Sequence, residues 1–491
     1  MTTRDLTLIA GGAQRSIHGD VAPHPAALMV EMARAALADA GIDDVGLVDG
    51  VACIETVSWT YPDLGAEVAA GLGCRPGIRR LSVPPGGTSP QDLLHQVAAD
   101  GSLHCVVITG AEAVRTRRRV GWRGTPEGWP ARAEGGSIWG DQAPFSTPLE
   151  QRHGLSAPIQ AFPLYENAMR AAHGRSFEEQ RTIAAELLAR NAAIAADNPH
   201  AWFRDAPDAE AIARVAPDNR MIAYPYTKRM NAILDVNQAA AIVVVSSEFA
   251  EEHGLVERSM AVLGGAGGVD AWNPIERTTY RESTVMNRVV ALALRRAGLE
   301  ARDIDAADLY SCFPSAVELG LTALGTDHHD PRPVSLTGGL AFAGGPGNGY
   351  VVHSMAAALE HIRANRDHRV LVTGIGMANA KHAATVLASA TRVPPSATGE
   401  VSYRENFETE AATVEPSPTG PATIVTYTID HDREGRPSNV VLLLDLDDGR
   451  RTIANASDPA EMTTELMAEE PIGRRGHVHP GADGRNLFEF A

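Results

Sequence analysis

The chain has 491 residues, enough for two to four domains with buried cores. With 44% hydrophobic and 21% charged residues and no apolar run of about 18, it reads as a globular protein without a membrane-spanning helix. A net charge of −18 spread along the chain repels a phosphate backbone and excludes nucleic acid as a partner, and four cysteines without CxxC spacing argue against a disulfide framework or a cysteine–zinc site.

From Met1 the chain enters a strand pattern directly, with no signal-peptide architecture, so a reducing cytoplasm is the expected location. The strand Leu6-Thr-Leu-Ile-Ala-Gly-Gly-Ala13 is followed by a helical pattern from Val30 to Gly41 and a strand at Asp49–Cys53. An amphipathic helix over Pro90–Ala99 then leads into the strand Cys105–Ala111. The same series returns at a steady offset: strand Met260–Gly267, helix Met286–Gly298, strand Asp308–Cys312, helix Val351–Ala364, strand Arg369–Ile375. Alternating strands and helices predict parallel sheets with helical crossovers, so the core is two α/β halves in tandem.

Two regions fall outside the repeat. Residues from about 115 to 230 read as an insertion in the first half, with its clearest helix over Phe177–Ala196 and a return strand at Ala239–Ser246. After the Pro/Thr/Glu-rich linker Ala411–Pro421, the alternation of Thr423–Ile429 and Asn439–Leu446, with the turn Asp447-Asp448-Gly449, predicts a small β domain shaped as an open barrel. The expected domains are 1–258, 259–410 and 411–491.

This arrangement resembles the thiolase superfamily, and particular strings sharpen the resemblance. Val107–Glu112 is similar to the strand and loop after the nucleophile helix of thiolases, and Asn237–Ser246 to their (D/N)GAAA strand. Asp308–Ser315 stands where thiolases carry NEAF or HDCF, Gly338–Gly349 where they carry GGxxxxGHPxGATG, and Gly374–Met377 at the tail of CxGGGM. The Tyr-Ser-Cys-Phe-Pro-Ser string, Asn198–Trp202 and the extra C-terminal domain look like the type-1 thiolase-like proteins of actinobacteria. The resemblance implies an α/β fold of tandem thiolase halves with an OB-like C-terminal domain. It also implies an acyl-CoA thioester as substrate or ligand, no separate cofactor, and a homodimer as one possible assembly.

A thiolase needs an activated thiolate, a histidine and a second cysteine. Carried over by position, the nucleophile falls in Pro84–Ser89, which has no cysteine; the histidine of GHP becomes Gly345; the second cysteine falls at Val372. Cys53 and Cys105 read as buried strand thiols, Cys74 lies too early in the chain, and Cys312 sits near the site by resemblance. Covalent thiolysis is therefore not expected. The loops remain, and Gly86, Gly87, Thr88, Gly344, Gly345 and Asn348 are the substrate-binding candidates, because glycines and helix-start amides admit a thioester oxygen. The same turns also suit two buried helices with no ligand at all. Tyr310, Tyr350 and His353 are the candidate acid–base residues for C–C bond chemistry on a β-hydroxyacyl-CoA; packed aromatics and a capping histidine are the plain alternative.

Only two lysines occur, Lys228 and Lys381. Lys228 is either a CoA-phosphate contact or a surface residue, and Lys381-His382 either reaches the pocket or forms a helix-surface pair. The histidines show no HxxxH or HExxH pattern, so no metal is expected. Ala10–Arg15 and Gly264–Gly268 lack GxGxxG, which sets dinucleotide binding aside. A non-catalytic acyl-CoA-binding or scaffold protein is the alternative to an enzyme.

Overall fold

The computed structural model describes residues 6–134 and 142–491; Met1–Asp5, at the start of the expected first strand, and residues 135–141 of the insertion lie outside them. In chain order the strands are β1 (Thr7–Ser16), β2 (Gly50–Cys53), β3 (Arg79–Leu81), β4 (Cys105–Ala113), β5 (Met221–Ala223), β6 (Tyr226–Thr227), β7 (Asn237–Ser246) and β8 (Met260–Val269). They continue with β9 (Ala306–Asp308), β10 (Arg369–Gly376), β11 (Lys381–Ser389), β12 (Gly420–His431), β13 (Pro437–Leu446), β14 (Arg451–Asn455), β15 (Arg475–Pro480) and β16 (Asn486–Phe490).

One nine-stranded sheet runs β3-β2-β4-β7-β1-β8-β11-β10-β9. Its seam is short: β1 meets β8 antiparallel through Leu8–Ala261 and Ile9–Met260. Read outward from that seam, one half runs β1-β7-β4-β2 and the other β8-β11-β10-β9, so the sequence repeat is a repeat of sheet order. Outside β9, the Pro333 and Val334 carbonyls accept from Ala307 and Leu309, in the place that β3 takes beside β2.

Helices cover both faces, which is why the central strands are apolar almost throughout. The helices Pro25–Ala40 and Thr284–Ala297 occupy one face, each closed by a left-handed glycine, Gly41 (φ 80°) and Gly298 (φ 65°). The helices Ser89–Ala99 and Tyr350–Ala364 share the other core, through Leu93, Leu94, Val351, Val352 and Met355. Both begin near the seam between the halves, and that placement brings the glycine loops together.

Two local readings are corrected. The expected strand Asp308–Cys312 stops at Asp308, because the buried Asp308 carboxylate collects the amides of Leu336 and Thr337 and the hydroxyls of Ser335 and Ser354. Beyond it Tyr310 N–H donates to the Thr373 hydroxyl at 2.9 Å, so the chain leaves the ladder. Lys381-His382 is no helix-surface pair: both are buried on β11, bonded on one side to β10 and on the other to β8. An alanine-rich stretch with weak local preference takes the strand because both neighbours offer unpaired backbone.

The C-terminal strands close a barrel in the order β12-β13-β14-β16-β15 and back to β12, with the helix Pro459–Ala468 between β14 and β15 along the chain. The insertion holds it in place. Its hairpin β5-β6 extends the barrel edge at Asp430–Ala223, and its helix Pro158–Ala172 lies against β12. There Asn167 donates to the Tyr427 carbonyl at 2.9 Å and Thr426 to the Leu164 carbonyl at 2.6 Å. The long insertion helix runs Phe177–Asp197 behind a Ser176/Glu179 capping box, one residue past its expected end.

Candidate functional site

The turn before the Ser89–Ala99 helix lies deep between the halves, with Gly86, Gly87, Thr88 and Ser89 all buried. Gly87 faces β10 so closely that a β-carbon there would overlap the Ile375 carbonyl and come 2.5 Å from the Tyr310 hydroxyl oxygen. Only glycine permits that approach. Among the described residues the amides of Gly86, Gly87 and Thr88 donate no hydrogen bond, and neither does the Tyr310 hydroxyl make one. These donors lack a protein partner at the position where the thiolase pattern puts its nucleophile.

Tyr310 and Tyr350 stand edge to face, ring centroids 5.7 Å apart at 89°. Their hydroxyls differ. Tyr350 bonds Thr337 at 2.6 Å and lies 3.4 Å from Asp308, and burial with that carboxylate pushes its phenol well above the ordinary value. Tyr310, raised by burial and then by Cys312, faces Gly87 without a partner. His353, one turn along the helix from Tyr350, turns elsewhere: its Nδ1 meets Gln14 Oε1 at 3.1 Å, and burial pushes its pKa down to about 3. The structure joins the two tyrosines and leaves the histidine apart from them.

The second glycine loop is more committed. Gly345 N–H donates to the Ile233 carbonyl at 2.8 Å, so that amide has no proton for a ligand, which corrects its expected use as an oxyanion donor. A β-carbon on Gly344 (φ 110°) would collide with Gln238, whose amide holds the Ala343 carbonyl at 2.7 Å. Asn348 donates to the Glu55 carbonyl. The insertion covers this loop through Trp202 N–H to Ala343 O and Phe203 N–H to Phe342 O. Lys228 is exposed in the 3-10 turn Lys228–Met230. Burial raises the thiols of Cys53, Cys74, Cys105 and Cys312, which keeps them protonated and weakly nucleophilic.

Two carboxylates escaped the sequence reading, Asp92 and Glu112, and the first of them is the partner of Lys381. Lys381 Nζ lies 3.4 Å from Asp92 Oδ2, both side chains almost fully buried, and donates to the Pro84 carbonyl at 3.2 Å. Thr88 donates to the same Asp92 oxygen at 2.8 Å. Burial pushes Asp92 up to about 6 against the pull of Lys381, and burial lowers Lys381 against the pull of Asp92, so burial works against both charges while their pairing sustains them. Glu112, at the end of β4, accepts from the amides of Val57 and Ser58 and is pushed up to about 7 by burial; it stands where a β-carbon on Gly347 would come within 2.7 Å. The rarity of lysine and the i, i+4 spacing of Thr88 and Asp92 were signals for the first pair; none marked Glu112. Away from this site, Asp327, His328 and His329 bring ligand-type atoms within 4.8 Å of one another on a largely exposed loop.

Comparison with known proteins bears on the fold. Residues 405–484 match the family model of the thiolase-like protein type 1 additional C-terminal domain. The crystal structure of a monomeric SCP2-thiolase like protein type 1 from Mycobacterium smegmatis is similar over 100% of both chains, at 28% identity and a TM-score of 0.81. The Ltp2–ChsH2(DUF35) aldolase structure matches 80% of this chain and 100% of its own, at 20% identity and a TM-score of 0.59, a likeness of fold. Sterol carrier protein 2 of Rattus norvegicus is 22% identical over 254 residues, 49% of this chain and 41% of that protein, so the chain spans less than half of this curated relative.

Proposed function

We propose that this chain, a thiolase-like fold carrying the additional C-terminal domain of thiolase-like protein type 1, acts on acyl-CoA thioesters by making or breaking a C–C bond beside the thioester, without an acyl-enzyme. The observation that carries this reading is the turn Gly86-Gly87-Thr88. Its amides are buried, unpaired and faced by the free Tyr310 hydroxyl, while no thiol stands there. Such a set of donors suits an oxygen that gains negative charge, which is the demand of an enolate. Acid–base cleavage of a β-hydroxyacyl thioester needs that stabilisation and a proton carrier, and no covalent nucleophile. The aldolase named among the similar structures supports the same bond class.

The test is binding and turnover together. Calorimetry with acetyl-CoA and longer acyl-CoAs should show saturable binding, a 3-hydroxyacyl-CoA panel should show cleavage, and intact mass should show no acyl adduct. An adduct on Cys312 or any other thiol overturns the non-covalent reading, and absence of binding to every thioester overturns the acyl-CoA reading.

A second reading, a non-catalytic acyl-CoA-binding scaffold, is favoured by one observation: the insertion bonds directly to the Phe342–Ala343 loop and covers it. Binding without turnover across the panel would make it the better one. For the C-terminal domain, the barrel's strand order supports an OB-like reading.

A further inference from the structure

The last turn before β11 is unusual. Met377, Ala378 and Asn379 are consecutive non-glycine residues in the left-handed region, at φ 51°, 49° and 72°. That conformation is disfavoured for a residue with a β-carbon, so the reversal persists because the packing around it imposes it. Its effect is to deliver Lys381 to the first position of β11, where the side chain crosses from the second half to the helix Ser89–Ala99 of the first. The ammonium uses two of its three protons, toward Asp92 and toward the Pro84 carbonyl. A β-carbon on Gly86 would lie 3.5 Å from Nζ, so the missing side chain leaves room for one ligand atom beside it. On the same turn stand the three unpaired amides and, at Gly87, the unpartnered Tyr310 hydroxyl. Asp92 is the carboxylate among these donors, and Thr88 and Lys381 already hold it.

We propose that Lys381 is a catalytic residue of this site, positioned by Asp92, whose ammonium donates to the carbonyl oxygen of the bound thioester and carries the charge that oxygen gains. The assignment rests on the acyl-CoA reading. In the cleaving direction the 3-hydroxyl gives its proton to water and the Cα–Cβ electron pair becomes the double bond of an enolate. The carbonyl pair moves to the oxygen beside Nζ, the carbonyl fragment leaves, and a proton returns to Cα. No oxidant, reductant or protein adduct is required.

Two lysines in the whole chain make the test direct. Protein labelled with ε-¹³C lysine gives two side-chain resonances, assigned with Lys228→Arg. Saturating acetyl-CoA should shift the Lys381 resonance, and Asp92→Asn should lower the pH at which it titrates, even with Tyr403 and Arg404 still beside the pair. Lys381→Arg should lower kcat on the thioester that turns over by about 10²-fold or more with little change in KM. Calorimetric binding with an unmoved Lys381 resonance overturns this assignment and leaves the acyl-CoA reading standing. No binding by either method overturns both.

Discussion

Lys381 and Asp92, from opposite halves of the chain, meet at 3.4 Å with both side chains almost fully removed from water. A buried ion pair is weak as a source of stability, because desolvating two charges offsets their attraction, but it is expensive to break from one side. Lys381→Met, which strands Asp92, should cost about 3–5 kcal/mol in urea unfolding. The double variant Lys381→Met/Asp92→Leu should recover most of that loss. A single variant that unfolds like the parent would show that water reaches the pair.

Gly87 and Gly101 give a matched contrast. Gly87→Ala forces a β-carbon into the Ile375 carbonyl and toward the Tyr310 hydroxyl, so about 1–3 kcal/mol of stability should be lost. At Gly101 nothing lies within 4 Å of an added β-carbon, and Gly101→Ala should stay within about 0.5 kcal/mol of the parent. Chemical denaturation of the two variants side by side checks this.

The two tyrosines should separate stability from chemistry. Tyr350→Phe leaves Thr337 and Asp308 short of a partner and should cost about 1–3 kcal/mol. Tyr310→Phe removes a hydroxyl that has no bond to lose and should leave stability within about 0.5 kcal/mol. If Tyr310 moves a proton in the reaction, the same change should lower turnover by about 10²–10⁴-fold. Parent-level turnover in Tyr310→Phe would remove the phenol from the mechanism.

The dependence of stability on pH has a definite sign. Burial holds Asp92 and Asp430 at about 6, Glu112 at about 7 and Glu166 at about 8, above their unfolded values, so the folded state binds more protons and loses stability as pH rises through those values. His95, near 4, and His353 and His382, near 3, act oppositely and cost stability as pH falls below 6.5. About a unit above the ordinary histidine value the carboxyls outweigh the histidines, so melting temperature should decline from pH 7.5 to 8.5. Glu166 is raised by burial and by Glu318, and Tyr226 and Gln180 donate to it. Glu166→Gln should flatten that decline by up to about 1 kcal/mol over the interval. An unchanged slope would mean that Glu166 titrates as an exposed carboxyl does.

The barrel and the insertion should fold as one unit. Val441, Leu443 and Ile453 of the barrel belong to the same core as Leu164 and Tyr165 of the insertion helix. Arg170 also forms a two-bond ion pair with Glu470, at 2.6 and 2.7 Å. A chain ending at Glu410 should therefore expose that core, bind a hydrophobic dye and aggregate. A soluble, cooperatively melting truncation would show the barrel to be an independent module.

Much of this was written along the chain. The period of the apolar residues, the glycines at helix ends and the repeated order of strands and helices fixed two tandem α/β halves, an insertion and a terminal β domain. Those are local signals, and the turn Asp447-Asp448-Gly449 or the stop at Asn198-Pro199 works without knowledge of the rest. The vacancy at Pro84–Ser89 was equally plain, because a missing cysteine needs no geometry. What tertiary structure alone decided is which polar groups meet. Asp308 ends its strand because residues 335–337 and 354 arrive from elsewhere to bond it. The alanine-rich β11 is a strand because β8 and β10 flank it, and Gly345 is spent on Ile233 because the insertion returns there. Lys381 finds Asp92 across 289 residues only once both halves close on the Ser89–Ala99 helix, since burial, not local propensity, sets the cost of leaving either charge alone.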